Sequence, residues 1–190
     1  MNRKNFLRLS VALPLVPGFT KSAPLFRADR SGKGFAVYRD KDRFDKSITL
    51  LEGDTFFTKV ASKDTNGDLY VFESTRIKQG GPSFHIHQDQ DEWWYVLEGE
   101  FRIKVGDELF DVKAGDSVFG PRGVPHTFSK VGEGTARMII TFQPAGRMEE
   151  FFSSVAKGIL KGKSEKEQDD FRKAHGFERV GPALDYFKKF

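Results

Sequence analysis

Between Ile48 and Phe142 the chain never sustains a helical period. Short apolar and β-branched runs follow one another, each closed by a turn signal. "DTNGD", from Asp64 to Asp68, is a hairpin turn of the Asn-Gly kind between "TFFTKVAS" and "LYVFESTRI". Gly99 in "EGE" and Gly106 in "VGDEL" mark two more reversals, and Gly115 and the "GPRGVP" stretch from Gly120 bend the chain again. Reversals at such even spacing predict an all-β region whose antiparallel strands close into a sandwich or barrel.

Beyond Pro144 the period changes. Phe151, Phe152, Val155 and Ile159 fall on one helical face, and Ser164 with Glu167 forms a capping box for a second helix ending near Gly176. The expected organisation is a barrel over 35–145 and a helical tail over 146–190 packed on it. His175, beside the Gly176 helix stop, is expected to meet free carbonyls at the helix end. "KSEKEQDD" from Lys163 reads as a solvated helix face.

The 190 residues suffice for one full hydrophobic core, with 20 Phe to fill it. The chain has no cysteine, so nitrogen and oxygen must hold any metal. No apolar run reaches the ~18 to 20 residues of a membrane span. The net charge of +4 comes from the first 22 residues, where Arg3, Lys4, Arg8 and Lys21 are the only charges; the remainder carries 27 basic and 27 acidic residues. That balance leaves no basic stripe, and no nucleic-acid-binding motif is present. Residues 1–22 pass from basic through apolar to small and polar, the layout of an export signal, and "RKNFLR" resembles a twin-arginine signal with Lys4 as the second basic residue. A periplasmic protein is expected, with a basic cytoplasmic tail as the alternative.

One segment concentrates chemistry. In "SFHIHQDQDEWWY", from Ser83 to Tyr95, His85 and His87 are two apart and face one side of a strand. Glu92 lies five positions further, an odd step, but "QDQD" offers a turn, so a new strand beginning at Asp91 can aim Glu92 at the imidazoles. Trp94 and Val96 would then share its side, while Trp93, Tyr95 and Leu97 pack against the outer layer. His126 follows "GPRGVP" at the start of another strand. Three imidazoles and one carboxylate make a complete nitrogen/oxygen set for one divalent transition metal: Mn, Fe, Co, Ni, Cu or Zn. Isolated surface or core histidines would not need the glutamate and the glycine frame as well.

These residues resemble the two motifs of the cupin superfamily. His85, His87, Glu92 and Gly99 fit the first, with Gly80 one residue closer than in the common form; Gly115, Pro121, Gly123 and His126 fit the second, with Lys130 where Asn often stands. The resemblance implies a double-stranded β-helix, a small antiparallel jelly-roll barrel with the metal inside. "GGPSFHIHQDQDEWWYVLEGE", "GDSVFGPRGVPHTF" and "HGFERVGPALDYF" further resemble single-barrel proteins related to quercetin 2,3-dioxygenase. That likeness implies metal-dependent oxidation of a small aromatic or enolic substrate by dioxygen, with Glu92 as ligand and as base. Its neighbours Trp93 and Trp94 suggest a raised Glu92 pKa. The alternative is a non-catalytic metal-containing cupin that binds a small polar ligand. A sugar isomerase on a similar barrel would need a further basic and acidic pair, which the motifs do not supply. Trp93 reads as core, Trp94 as core or aromatic platform, and Phe119 and Phe128 as pocket or core. The expected partner is a small-molecule substrate; monomer and homodimer both remain compatible with the sequence.

Overall fold

The computed structural model describes residues 32–50 and 54–185; the export-signal reading of 1–22 lies outside them. Two antiparallel sheets make up the barrel, with strands numbered along the chain. The first runs β1 (Ile48–Leu50), β2 (Asp54–Val60), β3 (Tyr70–Arg76), β10 (Ala136–Gln143), β5 (Asp91–Glu98) and β8 (Ser117–Gly120). The second runs β11 (Phe177–Ala183), β4 (Ser83–His87), β9 (His126–Lys130), β6 (Glu100–Val105) and β7 (Glu108–Lys113). Side chains from both, among them Phe72, Trp94 and Val96 from the first and Phe101 and Ile103 from the second, join in one buried core. This is the expected jelly-roll arrangement.

The turns follow from backbone chemistry. Asn66 and Gly67 take successive positive φ values of 54° and 87°, closing the β2–β3 connection after a single 3-10 turn at Ser62–Thr65. Gly106 and Asp107 close the two-residue β6–β7 hairpin, where Val105 pairs with Glu108. Gly99 does something else: it passes the chain from the first sheet to the second. Its φ is +77°, and a Cβ there would come within 2.6 Å of the Ala136 Cβ, so both conformation and space demand glycine.

Strand β5 alternates as its period requires, with Glu92, Trp94 and Val96 buried. Trp93, read from sequence as core, is instead 37% exposed. It stacks on Tyr95 at 5.9 Å and pairs across the sheet with Phe119, itself exposed, on a face that no further layer of the described residues covers.

The tail from 146 contains α1 (Met148–Ala156) and α2 (Glu165–Ala174) and then a strand. Strand β11 returns to pair with β4, Phe177 opposite His87 and Arg179 opposite His85. The helical expectation is therefore corrected at its end: pairing gives β4 a partner on its open side, and Phe177 packs edge-on against Phe151 at 4.7 Å. Helix α1 stops at Ala156, so Ile159 lies beyond it and is exposed. The Ser164–Glu167 capping box is present, and the His175 Nδ1–H donates to the Phe171 carbonyl at 2.7 Å. No helix among the described residues is long and apolar enough to cross a membrane.

Candidate metal centre

His85 and His87 sit on β4, alternate residues of one strand, and point into the barrel. His126 opens β9 and pairs directly with His85 across the ladder. Glu92 comes from the opposite sheet, one residue into β5, because the turn at 88–90 carries the chain across. The odd spacing from His87 to Glu92 is thus resolved by a change of sheet. All four side chains are buried, and their candidate ligand atoms lie within 4.8 Å of one another.

The geometry centres on Glu92 Oε2. It lies 3.0 Å from His126 Nε2, 3.5 Å from His87 Nε2 and 3.9 Å from His85 Nε2. Nδ1 of His85 donates to the Ser83 carbonyl at 2.7 Å and Nδ1 of His126 to the Val124 carbonyl at 3.0 Å, which turns both Nε2 lone pairs inward. Among the described residues, neither ring nitrogen of His87 has a hydrogen-bond partner, although the residue is fully buried. Orphaned buried imidazole nitrogen is costly, and a metal ion would satisfy it. Ligand distances of about 2.0–2.2 Å place donor atoms roughly 3 to 4 Å apart, so this set can close on one ion with little movement.

Protonation suits the same role. Burial, then the neighbouring His87 and His126, lower the His85 imidazole to about 3, leaving it neutral near pH 7. Burial pushes Glu92 upward, but polar contacts with His126 and His87 outweigh it and hold the carboxyl well below its ordinary range. The expectation of a raised Glu92 pKa is reversed, because its inward neighbours are imidazoles; Trp93 faces the other way.

Glycine makes room behind the cluster. Gly120 stands opposite Glu92 in the ladder, and a Cβ there would come within 2.7 Å of the Trp94 ring and 3.2 Å of His126 Nδ1. Trp94 therefore packs edge-on against His126 at 5.2 Å and stands behind the ligand, outside the cavity, which removes the platform reading. The loop before His126 is fixed twice: the Gly123 N–H donates to the His87 carbonyl at 2.7 Å, and the Arg122 guanidinium grips the Asp91 carboxylate at 2.6 and 3.0 Å.

His85, His87 and Glu92 line one end of a cavity of about 220 Å³. Its walls are largely aromatic and aliphatic, including Phe56, Phe72, Ile140 and Phe142, and α1 covers it through Met148, Phe151 and Phe152. Phe128 lines this cavity, whereas Phe119 is on the outer surface. Sequence reasoning missed Asp54 and Arg76, which line it too. Their signal was alternation: Asp54 shares a strand face with Phe56, and Arg76 with Phe72 and Ser74.

Comparison with known proteins agrees with this architecture. Residues 72–142 match the Cupin domain family. The polyketide synthase CurC of Streptomyces cyaneus is 32% identical over 92 residues, covering 47% of this chain and 57% of that protein. An uncharacterized protein of Methanocaldococcus jannaschii is 30% identical over 60 residues, 32% of this chain and 48% of the other. The chain spans about half the length of the curated relatives it matches. Among solved structures, an RmlC-like cupin from Shewanella frigidimarina superposes with a TM-score of 0.50 at 25% identity, covering 63% of this chain and 96% of that one. KdgF from a Halomonas species has a TM-score of 0.50 at 17% identity, over 58% of this chain and 94% of the other. The chain thus has the cupin fold, with residues 72–142 similar to the Cupin domain family, built around a buried histidine–glutamate cluster that could hold a metal ion.

Proposed function

We propose that this protein is a metal-dependent dioxygenase, quercetinase-like, that oxidises a small aromatic or enolic substrate with dioxygen. The observation that carries the reading is the convergence of three imidazole Nε2 atoms on one carboxylate oxygen at the end of an apolar cavity. His85, His87, His126 and Glu92 would hold one divalent transition metal, which supplies Lewis acidity toward the substrate's enol or catechol oxygen. Glu92, kept in its carboxylate form by the neighbouring imidazoles, would accept the proton of that hydroxyl. The aromatic walls and α1 keep water from the electron-rich anion that results. One relative is named a polyketide synthase, which supports a substrate of polyketide kind. We propose also that residues 1–22 direct the protein to the periplasm.

Oxygen uptake tests the reading, measured with flavonols and substituted catechols on protein loaded separately with each candidate metal. Uptake is expected in at least one metal form. Glu92→Gln, which keeps shape and an oxygen donor, should retain much of the metal while turnover per bound metal falls about 100- to 10,000-fold. Near wild-type turnover per metal would remove Glu92 as base. No uptake with any metal would favour a non-catalytic cupin that binds a small polar ligand.

A further inference from the structure

The cavity has a second polar end. Asp54, at the start of β2, and Arg76, at the end of β3, both point inward and both line it. The register that sets Thr55 against Thr75 brings the two together, and Arg76 Nη1 donates to Asp54 Oδ2. Both side chains are largely buried. The guanidinium carbon lies 5.6 Å from the centre of the Phe128 ring. Phe128 stands two residues along β9 from His126, on the same face and about 7 Å away. The Asp54–Arg76 pair is thus on the order of 10 Å from the metal centre, with apolar walls between.

We infer that Asp54 and Arg76 form a specificity site that reads a hydroxyl at the far end of the substrate, so that the ligand is a neutral, elongated molecule with polar oxygen at both ends and an apolar middle. The inference rests on the proposed function only for which end reaches Glu92. Asp54 and Arg76 together carry no net charge, and Arg172, which also lines the cavity, is paired with Asp169 at 2.8 Å, so a hydroxyl that donates to Asp54 is preferred over a second carboxylate, which would face the first. Burial raises Asp54 to about 6 despite the opposing charge of Arg76, which marks a carboxylate that gains from another donor. A polyhydroxylated sugar fits poorly, since most of its middle hydroxyls would meet aromatic and aliphatic walls, with Ser83 and Arg172 the further polar residues of the lining.

The test uses three probes of one shape, 4-phenylcatechol and its 4′-hydroxy and 4′-carboxy derivatives, titrated calorimetrically into metal-loaded and metal-stripped full-length protein. Wild type should bind the 4′-hydroxy probe about 10- to 100-fold more tightly than the parent, and the 4′-carboxy probe no better than the parent. The double variant Asp54→Leu/Arg76→Met replaces a buried ion pair by apolar groups of similar bulk, a change folds generally tolerate, and should erase the hydroxyl preference. Asp54→Asn, which keeps the shape, should shrink it. Equal binding of hydroxylated and parent probes by wild type, preference for the carboxylate, or a hydroxyl preference that survives the double variant would each overturn the inference. Hydroxyl preference without oxygen uptake in any metal form would sustain this site and remove only the dioxygenase reading.

Discussion

At the scale of single residues, the candidate centre depends on a missing side chain as much as on its imidazoles and carboxylate. Gly120 leaves the space in which Trp94 packs behind His126. Gly120→Ala should drive the indole toward the imidazole and weaken metal binding about 10- to 100-fold, as losses behind a ligand do, with little change in the other ligands; competitive chelator titration measures this. Asp54 makes a second residue-scale prediction. Its carboxyl rises from 3.8 to about 6 on folding, chiefly by burial. A group that holds its proton more tightly when folded contributes full stability below pH 3.8 and loses it as pH rises through about 6. The stability of wild type relative to Asp54→Asn should therefore fall by up to about 3 kcal/mol between about pH 4 and 7. Urea unfolding across that range checks it, and a difference that stays flat or grows would show that Asp54 is not so perturbed. The clustering of His85, His87, Glu92 and His126 was legible in sequence because imidazole and carboxylate at fixed spacing have few other uses. Asp54 and Arg76 were not, because a charged residue at an inward strand position looks the same in sequence as one at an outward position.

At the scale of elements, strand alternation and glycine turns carried most of the fold. The period of β5 separated Glu92 and Trp94 from Trp93 and Tyr95, but it could not say that the outer face lacks a covering layer among the described residues, which depends on where the helices go. Gly99 read as a simple reversal, since a positive φ looks alike in a hairpin and in a crossing between sheets. Strand β11 escaped notice because it follows a well-capped helix and contains Gly181 and Pro182, and its pairing with β4 is set by distant residues. The return of β11 also gives α1 a surface to pack on, since Phe151 meets Phe152, Phe171 and Phe177 while lining the cavity. Phe151→Ala should cost about 3 kcal/mol, near the lower end for such truncations because the new space opens onto an existing cavity. Urea unfolding of the variant reads this, and a cost below about 1 kcal/mol would mean that the tail does not hold the barrel closed.

At the scale of the whole molecule, the two sheets divide the work. The five-stranded sheet supplies all three imidazoles and the six-stranded sheet the carboxylate, so the candidate centre exists only when the sheets face each other. A metal that binds the folded state alone should then stabilise the whole barrel. The central claim is that these four side chains hold one ion per chain, and elemental analysis tests it most directly. Wild type and the triple variant His85→Ala/His87→Ala/His126→Ala are loaded with the same metal, dialysed and analysed together. The account predicts close to one bound metal per wild-type chain and essentially none in the triple variant; equal metal in the two proteins would contradict it.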